Sequence, residues 1–458
     1  MHEKFSFLEQ TKENVMKENV LEEVSMQTEI KEGLEVMKGS GNRYAWIMSD
    51  VISENKEPKN EMLAELLLNQ KHELPELISC VMERACNLQC AHCLYQEEKS
   101  SAKISREHSL SDRIVDIVSQ MPERSNSEEE GYNPQFISIG RILRPEHLET
   151  FTRLRTLRPD VKLGVIDNGS FTTLLPKWPT DFKFDWIDVS VDGLEDSHNK
   201  QRLSPKAFAQ AIEGLKQARE VTKSPEEGGR VTSLLTLTKI NAKDIAGVAD
   251  MLLSAEGENL PLADQFCVTT VGPTNEVNRK LETELDDFLT AWEQIKEISH
   301  KYNTEENERF RFSIYRIQDI EKLAAVVGEK HFLEQFTANE NDALPVKAGR
   351  NFLNFEFDGV KVLYQPLSIW IPEEFPIDAD GVYRGAYMVK YTLEELQSGV
   401  AKDGSDTTPY TFETITPETD FRECFERAVD SYWINFGKQR LEEEIAVFRR
   451  IREKAMSN

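Results

Sequence analysis

Apolar residues recur at every third or fourth position through the first 72 or so residues. Runs such as "TKENVMKENVLEEVSMQTEIKEGLEVMK" and "KNEMLAELLLNQ" therefore predict amphipathic helices rather than strands. "KGSGNR" (38–43) and "SENKEPKN" (53–60) interrupt them. From about residue 74 the pattern changes to short β-like runs. These are "ELISCVMER" (76–84), "QFISIGR" (135–141), "VKLGVIDNGS" (161–170), "FDWIDVSVDG" (184–193), "RVTSLLTLTKIN" (230–241) and "DQFCVTTVGP" (264–273). Helix-like stretches separate them, among them "SLSDRIVDIVSQM", "PEHLETFTRLRTLR", "SPKAFAQAIEGLKQAREV" and "AKDIAGVADMLLSA". Such alternation predicts parallel strands with helices outside, as a doubly wound sheet or as a full or partial barrel. In either architecture ligands gather at the carboxyl ends of the strands.

Beyond residue 281 the alternation fades. A helix is expected over "ETELDDFLTAWEQIKEISHKY" (282–302) and a seventh strand over "RFRFSIYRI" (309–317). In the β-rich stretch 351–375 and its continuation, "FDG" and "ADG" are turn signals between aromatic and β-branched runs, which predict hairpins. "KQRLEEEIAVFRRIREKAM" reads as a closing helix. The organisation expected is an N-terminal helical segment (1–73), an α/β core (74–280) and an α+β extension (281–458) that shapes a pocket.

Composition narrows the class. No run reaches the roughly 18 apolar residues of a membrane span, and the N-terminus lacks a charged-then-apolar signal. The expectation is a cytoplasmic chain with no membrane partner. The net charge of −26 counts against broad binding to a phosphate backbone, and so against a nucleic-acid partner. Six cysteines in 458 residues are too few for a disulfide scaffold, so clustering among them points to metal or catalytic chemistry.

Three of them do cluster. In "ERACNLQCAHCLY" (83–95), Cys86, Cys90 and Cys93 follow the first predicted strand as C-x3-C-x2-C. A structural zinc site pairs two such elements; here the second is missing. A Cys3His site through His92 is conceivable but strained, because His92 and Cys93 are adjacent. Thiolates at these spacings also hold iron–sulfur clusters, normally as sets of four. With three, one iron keeps an open position, as catalytic metal sites do.

The motif and its place resemble the radical S-adenosylmethionine superfamily, and "CNLQCAHCLY" resembles its peptide-modifying and cofactor-maturing branches. The resemblance covers roughly residues 74–273. It implies a partial (β/α)6 TIM-type barrel and a [4Fe-4S] cluster on Cys86, Cys90 and Cys93, with S-adenosylmethionine on the fourth iron. It also implies an electron donor such as a flavodoxin or ferredoxin. By the same resemblance, "DVSVDGLEDSHNKQR" (188–202) matches the family's S-x-D-G…H-x-x-x-R segment. That match implies Ser190 near the ribose or carboxylate, Asp192 beside it and Arg202 on the methionine carboxylate. Asn168, in "DNGS", and Thr238 and Asn241, in "TLTKIN", are implied near the adenosyl group, and Val271 near adenine. "SIGR" stands where the family carries a GGEP-like turn. Gly140 there permits close backbone approach, but no glutamate is present to hold the ammonium.

The target of the radical is less defined. Cys267, inside the sixth strand, is a candidate hydrogen donor, although a lone cysteine is more often a small core residue. "FEFDGVKVLYQPL" resembles the start of an auxiliary-cluster domain but carries Leu363 and Tyr364 where cysteine is expected. The reading favoured is a single-cluster biosynthetic enzyme acting on a small molecule such as an amino acid, sugar or nucleoside. Modification of a peptide side chain is the alternative, and a non-enzymatic iron–sulfur or zinc module a more remote one.

Overall fold

The computed structural model describes residues 40–54, 58–72, 75–80, 86–93, 108–123, 133–139, 145–255, 260–271, 279–338, 344–369, 374–377, 382–384, 412–414 and 420–457. The helices expected before residue 40, the "SIGR" positions Gly140 and Arg141, and the "ADG" turn lie outside these residues.

Six parallel strands form in the expected order: β1 (Leu77–Cys80), β2 (Gln135–Ile139), β3 (Lys162–Asp167), β4 (Trp186–Ser190), β5 (Arg230–Leu237) and β6 (Gln265–Thr270). The anticipated seventh, β7 (Phe310–Ile314), continues the sheet. The C-terminal part then adds a short β8 (Lys347–Ala348), β9 (Leu353–Phe357), β10 (Val360–Tyr364), β11 (Glu374–Ile377), β12 (Val382–Arg384) and β13 (Phe412–Thr414). The order across the sheet is β13-β12-β11-β1-β2-β3-β4-β5-β6-β7-β10-β9-β8. β10 and β11 run parallel to β7 and β1, so the extension widens the barrel wall on both sides. The α/β partial barrel expected from the sequence is the fold observed, with its wall longer than six strands.

Side-chain alternation explains how the sheet packs. Phe136, Leu163, Val165, Ile187, Val189 and Val231 face the helices and join the main core. Phe151, on the helix Pro145–Leu157, anchors that layer against Phe136 (ring centroids 5.5 Å apart) and Phe184 (4.8 Å, edge to face). The "FDG" signal is a β9–β10 hairpin turn in which Asp358 and Gly359 both take positive φ (51° and 74°).

The flanking segments share this core. Tyr44, on the helix Ser40–Glu54, packs edge-on to Tyr364 of β10, with ring centroids 6.4 Å apart. Glu444, on the helix Lys438–Ser457, lies buried beside them and accepts a hydrogen bond from Ser368 Oγ at 2.6 Å. Burial pushes its carboxyl up to about 7, with the Ser368 bonds pulling the other way.

The site end of the barrel depends on one close backbone contact. Gly169 takes φ +88° just after β3, and Gly214 lies on the helix Ala207–Val221. A Cβ on Gly214 would stand 2.5 Å from Gly169 Cα, so that helix reaches the β3 turn only because both residues lack side chains. Gly214→Ala is therefore expected to cost about 1–3 kcal/mol through overpacking. Urea unfolding checks this, and an unchanged midpoint would contradict it.

Candidate active site

The cysteine loop 86–93 is held from three sides. Ala91 N–H donates to the Gln201 carbonyl at 2.8 Å, on the helix Glu195–Arg202, and Cys93 N–H donates to the Cys90 carbonyl at 3.1 Å. Asn87 Nδ2 donates to Gln210 Oε1 at 2.8 Å. Gln210 Nε2 in turn donates to Asn168 Oδ1 at 2.7 Å, and Asn168 Nδ2 to Asn87 Oδ1 at 3.0 Å. This ring of amides ties the loop to the β3 turn and to the helix Ala207–Val221. Cys90 and Leu88 are buried against Ala207, and Cys86 and Cys93 pack on the same small cluster.

None of the three cysteines is in a disulfide. Two face N–H donors on neighbouring elements: Arg202 Nη1 is 3.7 Å from Cys90 Sγ, and Asn168 Nδ2 is 3.8 Å from Cys86 Sγ. Leu88 N–H also donates to Cys86 Sγ at 3.5 Å. Among the described residues no three His, Cys, Asp or Glu side chains are gathered into a metal-holding group. The fit of a soft metal centre therefore rests on the chemistry of the donor set: three cysteines in one short loop, two of them with N–H groups aimed at sulfur.

Below the loop lies a charged knot. Asp192 is fully buried and pairs with Arg202, Oδ2 to Nε, at 2.5 Å. His92 Nε2 stands 3.6 Å from the same oxygen, and Thr236 N–H donates to Oδ1 at 2.9 Å. Burial alone would raise the carboxyl. The Arg202 guanidinium, helped by the two histidines and the Thr236 bond, overcomes it and brings Asp192 down to about 2. The Asp192 N–H donates to His198 Nδ1 at 2.9 Å, which requires an unprotonated nitrogen. Burial and the neighbouring Arg202 push that imidazole down to about 4, so the ring is neutral as the bond demands. Gly193, with φ +148°, packs where a Cβ would meet the Ser197 hydroxyl and stand 3.2 Å from Asp244 Oδ2. The glycine of "SVDG" is thus a packing requirement.

The other positions singled out in the sequence lie around this knot. Ser190 ends β4, half-buried. Thr238 and Asn241 are fully buried and point into their own turn. Asn241 Nδ2 donates to the Asp192 carbonyl (2.7 Å) and the Thr236 carbonyl (2.9 Å), its Oδ1 accepts from Thr238 N–H (2.8 Å), and Thr238 Oγ1 bonds Gln201 Oε1 (2.7 Å). Val271 is buried at the end of β6, and its neighbour Gly272 lies outside the described residues. Cys80 and Cys424 belong to the main core. Cys267 faces the other way, in one cross-strand row with Ser190, Leu234 and Arg311. Burial pushes its thiol up to about 12, keeping it protonated.

No family model matches the chain. Over 218 residues it is 26% identical to the Fe-coproporphyrin III synthase of Methanosarcina barkeri (strain Fusaro / DSM 804), a radical S-adenosylmethionine family member. That relative belongs to the superfamily that the cysteine motif of this chain resembles. The matched stretch is 46% of this chain and 48% of that protein, so the chain spans about half the length of the curated relative it matches. Two solved structures are similar in outline. SuiB of Streptococcus suis matches over 83% of this chain and 74% of its own, at 13% identity and a TM-score of 0.45. anSMEcpe with bound AdoMet matches over 83% and 99%, at 13% identity and a TM-score of 0.39. At such identities and scores neither likeness bears on what the site does.

The superfamily motif left one group unnoticed. Asp188 sits two residues before Ser190, on the same face of β4, and is buried with its Oδ1 unpartnered. In the cross-strand row it lies opposite Thr232. Burial is the main influence on Asp188. Arg230, Thr232 and Trp186 only partly offset it, leaving the carboxyl at about 6. The signal was present in "WIDVS": an acidic residue at the parity of Ser190 rather than of Ile187 and Val189.

The folded carboxyl keeps its proton up to about 6, whereas the ordinary value is 3.8. The native state therefore binds the extra proton between those values. That contribution to stability is complete below about pH 4 and is lost as pH rises through about 6. Asp188→Asn removes the titration. The variant should gain on wild type by on the order of 2–3 kcal/mol between about pH 4 and pH 8. Urea midpoints across that range check this, and a constant gap would contradict it.

Proposed function

We propose that the chain is an enzyme that uses S-adenosylmethionine at a [4Fe-4S] cluster to start radical chemistry on a small biosynthetic substrate. Cys86, Cys90 and Cys93 would hold three of the irons, leaving the fourth for the amino and carboxylate groups of S-adenosylmethionine. When bound, the cluster supplies the electron that cleaves the sulfonium, releasing methionine and a 5′-deoxyadenosyl radical that abstracts a substrate hydrogen. A flavodoxin or ferredoxin type of partner would deliver that electron.

The observation that carries the reading is the packing of Cys86, Cys90 and Cys93 around one small apolar cluster, braced by the Asn168 turn and by the helix that follows "SVDG". The chain's own residues divide the remaining work. Ser190 offers a hydroxyl at the carboxyl end of β4, where ligands of such barrels collect. Thr238 and Asn241 hold the β5 turn in shape for the adenosyl group, and Gly140 and Val271 would supply backbone contact to the cofactor. Cys267 and Asp188 line the inner face, one a protonated thiol and the other a carboxyl that changes charge near neutrality.

A small-molecule target is supported by the extension, where Leu363 and Tyr364 occupy β10 in place of auxiliary-cluster cysteines. The curated relative also carries the name of an Fe-coproporphyrin III synthase.

Reconstituted anaerobically with iron and sulfide, the protein should take up about four irons per chain. With dithionite and S-adenosylmethionine it should release 5′-deoxyadenosine and methionine, and Cys90→Ala should abolish both cluster and product. A fully loaded cluster that yields no 5′-deoxyadenosine would overturn the reading. Deuterium appearing in 5′-deoxyadenosine from a labelled peptide, and from no labelled small molecule, would overturn the substrate class.

A further inference from the structure

The resemblance implies Arg202 on the methionine carboxylate; in the structure its guanidinium also makes two contacts within the protein. Nε is taken by Asp192 Oδ2 at 2.5 Å, and Nη1 points at Cys90 Sγ from 3.7 Å. Both partners are buried, as is Arg202 itself. The guanidinium cannot swing away without leaving Asp192 as an uncompensated buried charge, which is strongly unfavourable. Asp192 is itself fixed by Thr236 N–H, and its carbonyl by Asn241 Nδ2. The arginine is therefore locked in place by β4, β5 and the turn after β5, and among the described residues its Nη1 faces a cysteine sulfur.

We propose that Arg202 tunes the cluster held by Cys86, Cys90 and Cys93, acting as a positive N–H donor to the Cys90 thiolate that raises the reduction potential, with Asp192 setting its position and moderating its charge. The inference rests on the cluster assignment under Proposed function. Reduction adds negative charge to the cluster and its sulfurs. A donor and a positive charge beside a sulfur stabilise the reduced form more than the oxidised one, and a buried site screens little of that difference. Asp192 carries the opposite charge and holds the guanidinium through Nε, whereas Nη1 is the atom that faces Cys90. His92 also faces Asp192, while His198 is held neutral. The two acidic and basic members of the pair should thus act on the potential with opposite signs, which a merely structural contact would not do.

The test is a redox titration of the reconstituted protein, followed by electron paramagnetic resonance without S-adenosylmethionine, so that carboxylate binding plays no part. Iron and sulfide are quantified in each sample. Arg202→Gln should lower the midpoint, Asp192→Asn should raise it, and Arg202→Lys should stay near wild type. Midpoints of Arg202→Gln and Asp192→Asn that coincide with wild type at full iron loading would overturn the proposal, as would shifts of the same sign. If one of these two variants does not fold, the sign measured for the other decides. Wild-type protein that takes up no four-iron cluster would instead remove the reading on which the proposal rests.

Discussion

One buried ion pair organises the site. Asp192 lies with no exposure at the end of β4 and is ionised because Arg202 reaches it from the last residue of the following helix. Removing one partner of such a pair typically costs about 3–5 kcal/mol, because the other charge is stranded in a poorly solvated place. The consequence is geometric as much as energetic. Asp192 binds the β5 backbone through Thr236 and the neutral His198 through its own N–H, while Arg202 faces Cys90. The carboxyl ends of β4 and β5 and the cysteine loop therefore form one unit, whose parts cannot move separately without breaking the pair.

A second, uncharged layer completes the loop's support. Asn87, Asn168 and Gln210 exchange hydrogen bonds in a ring, and the Gly169–Gly214 contact brings the Gln210 helix close enough for that ring to close. Three cysteines in a short loop have little backbone structure of their own. Here their placement is borrowed from β3, from the helix after "SVDG" and from the helix after that.

Much of this was legible in the chain itself. The strand order followed from the alternation of period-two and helical runs. The cysteine loop and "SVDG" were readable because each is a local pattern in the right place along that order. The "FDG" hairpin was visible for the same reason, since Asp and Gly tolerate the two positive φ values its turn needs. What was not legible depends on contacts between distant residues. Alternation identifies β10 and β11 as strands but does not say that they flank β7 and β1. Gln201 and Gln210 are ordinary helical amides until the fold places them under the loop. Tyr44, Tyr364 and Glu444 come from opposite ends of the chain, and no local pattern announces their meeting. Asp188 was overlooked because a charged residue within a strand reads as solvent-facing until the inner side of the barrel is known.

The claim on which the rest turns is that the three cysteines leave one iron open for S-adenosylmethionine. Electron paramagnetic resonance of the reduced, iron-loaded protein, recorded before and after adding S-adenosylmethionine, tests it most directly. The account predicts a four-iron signal whose g-values change when S-adenosylmethionine is added, because the ligand meets the cluster itself. A full cluster whose spectrum is identical with and without it would contradict the account.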